Sequence, residues 1–341
     1  MQHIRRDLVL AAILCASALS AQGQRTISPE GLGPVYGGNT TGYPWGYSAY
    51  PNFRYQQIHD DLAGKVRVFL AMAIRRKESG AAHTAVSPTL QLDLSTAAVG
   101  SQQSTSTFVS NHGSNRVVAM ASKVVNFPAA NPPTNGLPAP FTYVMMLDQP
   151  YIHSGAGGIC WEVLMTANAY GGATMSFDLA TNGLARSVVF GTGCGGVTLA
   201  GTATTTALGQ TGAGWVPNSN VYLLLGADNE KIAGLPLPLD LTSINAAGCW
   251  LYTDPLVTVG LVADGAGGIA NSFPMSGLPA NLTVNMQLVG PSPAVPLGLA
   301  FSNGLYQTPS APRTFMRNWI SNTTSATGSL QLTYALVTEF S

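Results

Sequence analysis

Five histidines and fifteen acidic residues carry most of the acid–base and metal-binding capacity of this 341-residue chain. His59-Asp60-Asp61 sets an imidazole beside two carboxylates, donor types suited to a metal ion or to proton transfer. Adjacent residues on a strand point to opposite faces, and in a turn they face water, so the three converge only if the fold gathers them. His112 lies in Ser110-Asn-His-Gly-Ser-Asn115, a polar turn sequence, and His83 and His153 have loop-like neighbours. A nucleophilic triad needs a serine held against one of these rings. The chain has no G-x-S-x-G elbow, while other triad orders leave no sequence signature. Glu162 follows Trp161 in an apolar strand, a setting that raises a carboxyl if buried and suits the acid of a glycosidase pair; an edge position would leave it solvated.

Two glycine-rich motifs invite ligand readings. Gly191-Thr-Gly-Cys-Gly-Gly196 fits G-x-G-x-x-G, but a dinucleotide loop must open a helix, and Val197–Thr206 is rich in β-branched residues and glycine. A turn is expected. Asp264-Gly-Ala-Gly-Gly268 lacks the further carboxylates of a calcium loop and reads as a hairpin turn. Tyr36, Tyr43, Trp45, Tyr47, Tyr50, Phe53 and Tyr55 crowd into residues 36–55 between prolines and glycines. Tyr43, Trp45, Tyr47 and Tyr50 are the candidates to stack on a glycan or grip another protein; the alternative is an arm that wraps the core and buries its own rings.

Charge is scarce. Lys, Arg, Asp and Glu make up 9% of the chain, against roughly 25% in ordinary domains. Formal net charge is +0, so no nucleic-acid-binding face is implied. No cofactor, metal site or catalytic residue is assigned, and the chain is expected not to be an enzyme.

Any site must be positioned by strands. Val66, Val68, Leu70, Met72 and Ile74 alternate with period two, as do Leu90, Leu92 and Leu94, then Leu282, Val284, Met286 and Leu288, and near the end Leu330, Leu332, Tyr334 and Leu336. Each set is expected to face a core. Residues 117–125, 141–147, 159–165, 221–225 and 256–262 are further strand candidates, and 56–63 has room for one helical turn. In Leu235-Pro-Leu-Pro-Leu-Asp-Leu241 the prolines cannot donate to a ladder, which restricts the segment to an edge or an extended crossover, where it would cover an open edge.

The start, Met-Gln-His-Ile-Arg-Arg-Asp followed by an apolar run from Leu8 to Leu14 and small residues through Ala21, has the layout of a secretory signal peptide. Cleavage is expected after Ser20 or Ala21; Arg5-Arg6 is a weak match to a twin-arginine signal. No apolar stretch reaches the roughly 18 residues of a membrane-spanning helix.

Downstream, Phe190-Gly-Thr-Gly-Cys194, Val221-Tyr-Leu-Leu-Leu-Gly226, Leu235–Leu241, Gly248-Cys249, Asp264-Gly265 and Pro296-Leu-Gly-Leu-Ala-Phe-Ser-Asn-Gly304 follow one another in an order that resembles a C-terminal β-sandwich module recurrent in exported proteins of planctomycete-type bacteria. Phe53-Arg-Tyr-Gln-Gln57, Leu92-Asp-Leu-Ser-Thr96, Phe108-Val-Ser-Asn-His-Gly113 and Pro140-Phe-Thr-Tyr143 are similar to an N-terminal module of such proteins. The resemblance implies architecture and export and carries no activity. Cys194 opens the second module and Cys249 lies inside it, so a disulfide between them is expected, with two buried thiols as the alternative. Cys160 is left as a buried free thiol or an interchain bridge.

The expectation is an all-β chain of two antiparallel β-sandwich domains, Ig-like or jelly-roll-like. Residues 1–21 are a signal peptide, 22–52 an aromatic arm, 53–188 and 189–310 the sandwiches, and 311–341 a strand segment. Residues 312–341 either complete the first sandwich or add to the second. The expected function is that of a secreted, non-catalytic structural or adhesive protein of the cell envelope or extracellular space, its partner a glycan or another envelope protein. A carbohydrate-binding module is the alternative, and a hydrolase with an unrecognised site the second alternative.

Overall fold

A computed structural model describes residues 25–135, 137–168, 174–183, 185–276, 282–310 and 313–341. The signal-peptide reading, with its cleavage positions, lies outside them. The described chain is all-β and antiparallel. Helix is confined to short turns such as Asp60–Leu62 and Phe108–Asn111.

The sheets fall into two groups. In the first, a six-stranded sheet runs in the order Ser329–Gln331, Phe315–Ile320, Phe53–His59, Ile159–Ala167, Thr89–Thr96, Val117–Val124. A four-stranded sheet orders Thr26–Ser28, Thr338–Phe340, Arg67–Ile74 and Tyr143–His153, and a three-stranded sheet orders Gly38–Thr41, Phe177–Thr181 and Tyr334–Leu336. Their shared core includes Phe69, Met72, Leu92, Trp161, Val163 and Phe340.

The second group holds Arg186–Phe190, Gly304–Thr308, Val284–Pro291, Asn220–Gly226 and Val257–Val262 in that order, with Leu299–Phe301 beside Val284–Pro291. A three-stranded sheet of Thr198–Ala203, Ala207–Ala213 and Ile269–Pro274 accompanies it. Leu199, Trp215, Leu223 and Leu288 fill this core around a disulfide between Cys194 and Cys249, whose Cα atoms are 5.0 Å apart. Pro236 sits in a two-stranded ribbon, Lys231–Ile232 with Leu235–Pro236, and Pro238 lies between it and a second ribbon, Leu239–Asp240 with Trp250–Leu251; neither ribbon joins a larger sheet.

The C-terminal segment pairs entirely within the first group: Phe315–Ile320 lies against Phe53–His59, Tyr334–Leu336 against Phe177–Thr181, and Thr338–Phe340 against Arg67–Ile74. The alternation of Leu330, Leu332, Tyr334 and Leu336 suggested one strand. The chain instead breaks into two strands of different sheets, and the corner is tied by Asn182, whose side-chain amide donates to Leu332 O (2.8 Å) and whose backbone N–H donates to Thr333 O (2.9 Å).

A second departure concerns Arg67–Ile74. Phe69 and Ala71 enter the core, while Val66, Val68 and Leu70 point outward, the last two 53% exposed. Met72 and Ile74 are buried as expected. A register shift against Tyr143–His153 between Phe69 and Ala71 marks where the pattern changes. An irregularity of this kind re-aims side chains, and an apolar stripe continuous in sequence ends up divided between core and surface. Residues 256–262 also differ from a buried strand: Val257–Val262 is a sheet edge with Leu256, Val257 and Val262 exposed.

The groups meet through residues 26–37. Ile27, Leu32 and Val35 enter a third apolar cluster with Ala180 and Phe315 from the first group and Phe190, Tyr252 and Tyr306 from the second. Each such fully buried aliphatic side chain contributes about 1.5–3 kcal/mol. The segment is pinned from below by Arg75, itself fully buried. Arg75 donates to Leu32 O (2.7 Å), Gly33 O (2.7 Å) and Val35 O (2.6 Å) and pairs with Asp178 (2.7 Å), which accepts the Gly37 N–H at 2.8 Å.

The face assignment can be tested directly. Phe69→Ala is expected to cost about 3–5 kcal/mol of unfolding free energy in urea titration, whereas Leu70→Thr, one residue on, should change it by less than about 0.5 kcal/mol.

Candidate functional site

Three arrangements of ionisable side chains are candidates for a site; the first is sealed, and the second shares Asp61 with the third, an open cavity. The first lies on the polar face of the six-stranded sheet. Antiparallel pairing sets Glu162 opposite Gln56 on one side and Asp93 on the other. Glu162 stands on a central strand and is fully buried, which replaces the expectation of a solvated edge carboxylate. Its Oε1 accepts from Arg54 Nε (3.0 Å) and Nη2 (2.9 Å) and from Arg116 Nη2 (3.2 Å); Oε2 accepts from Gln56 Nε2 (3.0 Å) and lies 3.3 Å from His112 Nε2. Arg116 also grips Asp93 Oδ2 at 2.6 Å. Burial alone would raise the Glu162 carboxyl, but the His112 hydrogen bond and the two guanidinium groups outweigh it and hold it below its ordinary value. A carboxyl raised by Trp161 is therefore not what forms.

His112 Nδ1 lies 2.7 Å from Ser95 Oγ, so Ser95, His112 and Glu162 form a serine–imidazole–carboxylate chain. It has the composition of a triad without the access. Ser95 and Glu162 are fully buried, the one-turn helix Phe108–Asn111 covers them, and Gln56 donates to Phe108 O at 2.9 Å while Asn111 donates to Gln56 Oε1 at 2.8 Å. No acyl carbon can reach the hydroxyl. Sequence reasoning found His112 and Glu162 separately and missed Ser95, Arg54 and Arg116. The usable signal was the polar alternation of Gln91, Asp93 and Ser95 against the leucines between them.

His59 forms the second node. Trp161 Nε1–H donates to His59 Nε2 at 3.0 Å. An indole only donates, so Nε2 is unprotonated and Nδ1 carries the proton. Nδ1–H then donates to Ser28 Oγ (2.6 Å), and Ser28 donates to Asp61 Oδ1 (2.6 Å). Burial pushes the imidazole down to about 3. The proton chain runs away from the ring, which cannot act as base toward Ser28. Asp60 turns elsewhere and accepts the Ser101 N–H at 2.8 Å, so the His59-Asp60-Asp61 triplet does not converge.

The other two histidines among the described residues, His83 and His153, are built in as neutral rings. His83 Nδ1 lies 2.5 Å from the Tyr143 hydroxyl and Nε2 accepts the Ser176 N–H at 3.0 Å; burial lowers it to about 4. His153 Nε2 donates to Leu62 O at 3.0 Å, and burial lowers its pKa as well. Among the described residues, no three His, Cys, Asp or Glu side chains gather as a metal site would require. Cys160 is a free, buried thiol packed with Ile58 and Met316, its pKa raised by burial.

The glycine motifs are structural. Gly191, Gly195 and Gly196 adopt positive φ and lead into the strand Thr198–Ala203, with no helix to receive a phosphate. Asp264 caps its own turn by accepting from Ala266 and Gly268 N–H (2.8 and 2.7 Å). The strands it joins, Val257–Val262 and Ile269–Pro274, lie in different sheets, so the connection is an arch between sheets and not a hairpin.

The aromatic arm mostly buries its rings. Trp45 is fully buried, stacked on Phe127 (4.7 Å) and edge-on to Phe177 (5.5 Å), and offers no face to a glycan. Tyr43 stacks on Trp319 (4.3 Å) and Phe53 (4.8 Å), with Tyr47 and Tyr50 packed against it and half-buried. The packing is that of an arm that wraps the core and buries most of its own rings.

The third place is open. A cavity of about 280 Å³ lies at the junction of the two sheet groups. Glu30 and Asp61 line it from the first group and Arg186 and Tyr306 from the second, with Leu32, Thr181, Thr283 and Phe315 among the remaining lining. Burial raises Asp61 to about 6, although Ser28 and the Glu30 N–H donate to it. Nearby, burial and Asp228 raise Glu230 to about 7, where it accepts the Gly33 N–H at 3.1 Å. Comparison with family models, curated proteins and solved structures returned no match, so the residues alone define the site.

Two measurements probe these arrangements. Arg54→Leu leaves part of a buried carboxylate uncompensated and should cost about 3–5 kcal/mol in denaturant titration. Asp61 binds its proton more tightly folded than unfolded, so its contribution is full below pH 4 and is lost as pH rises through about 6. Asp61→Asn should therefore flatten the decline in melting temperature between pH 4 and 7 relative to wild type.

Proposed function

We propose that this is an exported, non-catalytic structural or adhesive protein of the cell envelope or extracellular space, a contact-making molecule and not a proton-moving one. The observation that carries the reading is the state of the two serine–imidazole pairs: both are interior, and each ring nitrogen near a serine is committed to a partner that leaves no substrate path. The open cavity holds acids, a guanidinium and threonines but no histidine or cysteine, a lining suited to binding. Export is supported by the Cys194–Cys249 bridge, a linkage at home in oxidising compartments, and by the N-terminal signal-like sequence. The resemblance to exported planctomycete-type modules belongs to the same reading.

The contact surface of this reading is the outward stripe of the four-stranded sheet. Val68 and Ile152 are cross-strand partners, 53% and 68% exposed, with Val66, Leu70 and Met146 beside them. Exposed apolar side chains clustered on adjacent strands mark contact surfaces more than singly scattered ones do. A glycan-binding role would have to rest on Tyr47 and Tyr50, since Trp45 is sealed.

The test pairs localisation with retention. The protein should fractionate with the envelope or medium, co-sediment with envelope preparations, and turn over neither ester, glycoside nor peptide substrates. Replacing Val68, Leu70 and Ile152 with serine should weaken co-sedimentation more than about tenfold, from the loss of three buried apolar groups. Turnover by the purified protein that Asp61→Asn abolishes would sink the proposal.

A further inference from the structure

The junction cavity contains an ion pair held apart. Asp61 accepts from Ser28 Oγ (2.6 Å) and from the Glu30 N–H (2.8 Å), which leaves lone pairs free on both oxygens. Among the described residues no Lys or Arg nitrogen forms a salt bridge with it: Lys65, the cation it feels, is bound to Glu30 at 2.9 Å. Arg186 is in the converse position. Its Nη2 donates to Tyr36 O at 2.5 Å and its guanidinium sits 5.7 Å from the Tyr306 ring, yet no carboxylate forms a salt bridge with it among the described residues. Asp178, whose charge it feels, is committed to Arg75. Both groups are at most partly exposed, and unpaired charges in such settings are costly. A folded protein that keeps two opposite charges around one cavity, each without a counter-ion, has the two halves of a binding site for a molecule carrying both.

We propose that this cavity binds a small zwitterion of the α-amino acid class, its ammonium on Asp61 with Glu30 at the rim and its carboxylate on Arg186. Leu32 and Phe315 offer an apolar wall for a side chain, and Thr181 and Thr283 supply neutral hydroxyl partners. The volume, about 280 Å³, is just below the roughly 300–1,000 Å³ of drug-sized ligand sites, and so limits the occupant to a single small molecule. Because the walls come from both sheet groups, the ligand would also fasten the groups together. The proposal is independent of the adhesive reading, since the cavity is separate from the Val68–Ile152 stripe.

The experiment is isothermal calorimetry on the full chain with glycine, serine, leucine and phenylalanine as free amino acids. Leucinamide, which lacks the carboxylate, and 4-methylpentanoate, which lacks the ammonium, are the controls. At least one amino acid should bind, and both truncated analogues should bind at least about tenfold more weakly than leucine, the loss of one charged contact. Asp61 is flanked by Ser28, Glu30 and Lys65, with His59 neutral behind Ser28, and its carboxyl ionises near pH 6, so affinity should rise about tenfold from pH 5 to 7.5. Asp61→Asn should abolish binding. Thr283→Phe, which fills the cavity and leaves both charged residues in the sequence, should do the same and covers the case in which the Asp61 variant fails to fold. Absence of binding by all four amino acids at millimolar concentration, equal affinity for leucine and its truncated analogues, or retained binding in folded Asp61→Asn or Thr283→Phe overturns the proposal.

Discussion

Arg75 is the interaction on which the rest of the architecture leans. One buried guanidinium, at the end of Arg67–Ile74, satisfies three carbonyls of residues 32–35 and the carboxylate of Asp178. These backbone groups have no ladder partners of their own, and an extended segment this deep would otherwise leave them unsatisfied. With them satisfied, Leu32 and Val35 can sit in the cluster that joins the two sheet groups. The cavity rim, the Glu230 contact with Gly33 and the Asn229 contact with Gly31 all follow from where that segment is held. A lysine could not substitute, because the planar fork serves several acceptors in fixed directions and an ammonium does not.

The scarcity of charge gains its meaning from this economy. Arg54, Arg116, Asp93 and Glu162 lie in one network, Arg75 and Asp178 in another, and Arg76 donates to the carbonyls of Lys77, Ala130 and Ala81. Much of the small charged complement thus works inside the protein, where an unpaired partner is expensive. Large apolar side chains such as Val68, Ile152 and Leu256 are left on the outer surface.

The all-β class was legible because period-two alternation is local: Leu90, Leu92 and Leu94 are buried as read, and so are Met286 and Leu288. Which face a strand buries is not local when both faces carry apolar residues. In Arg67–Ile74 every residue but the first is apolar, so alternation could not distinguish Phe69 from Val68 and Leu70, and the register against Tyr143–His153 decided it. The site was less legible still. Glu162 meets Arg54 and His112 across 108 and 50 residues of sequence, and the cavity charges Asp61 and Arg186 come from separate sheet groups. The aromatic run was visible at once, but whether its rings stack on a ligand or on Phe127 and Trp319 depends on residues far along the chain.

The placement of Cys160 bears on how such a chain matures. Its thiol is shut in by Ile58 and by Met316, and Met316 belongs to the strand Phe315–Ile320, which follows Cys160, Cys194 and Cys249 in the chain. Until that strand docks, the three cysteines among the described residues are all thiols, and three different pairings among them are open to an oxidant. Only one of them is the native bridge. A late-arriving strand thus acts as a chemical stopper: it withdraws the odd sulfur from exchange and leaves Cys194 and Cys249 with no competitor.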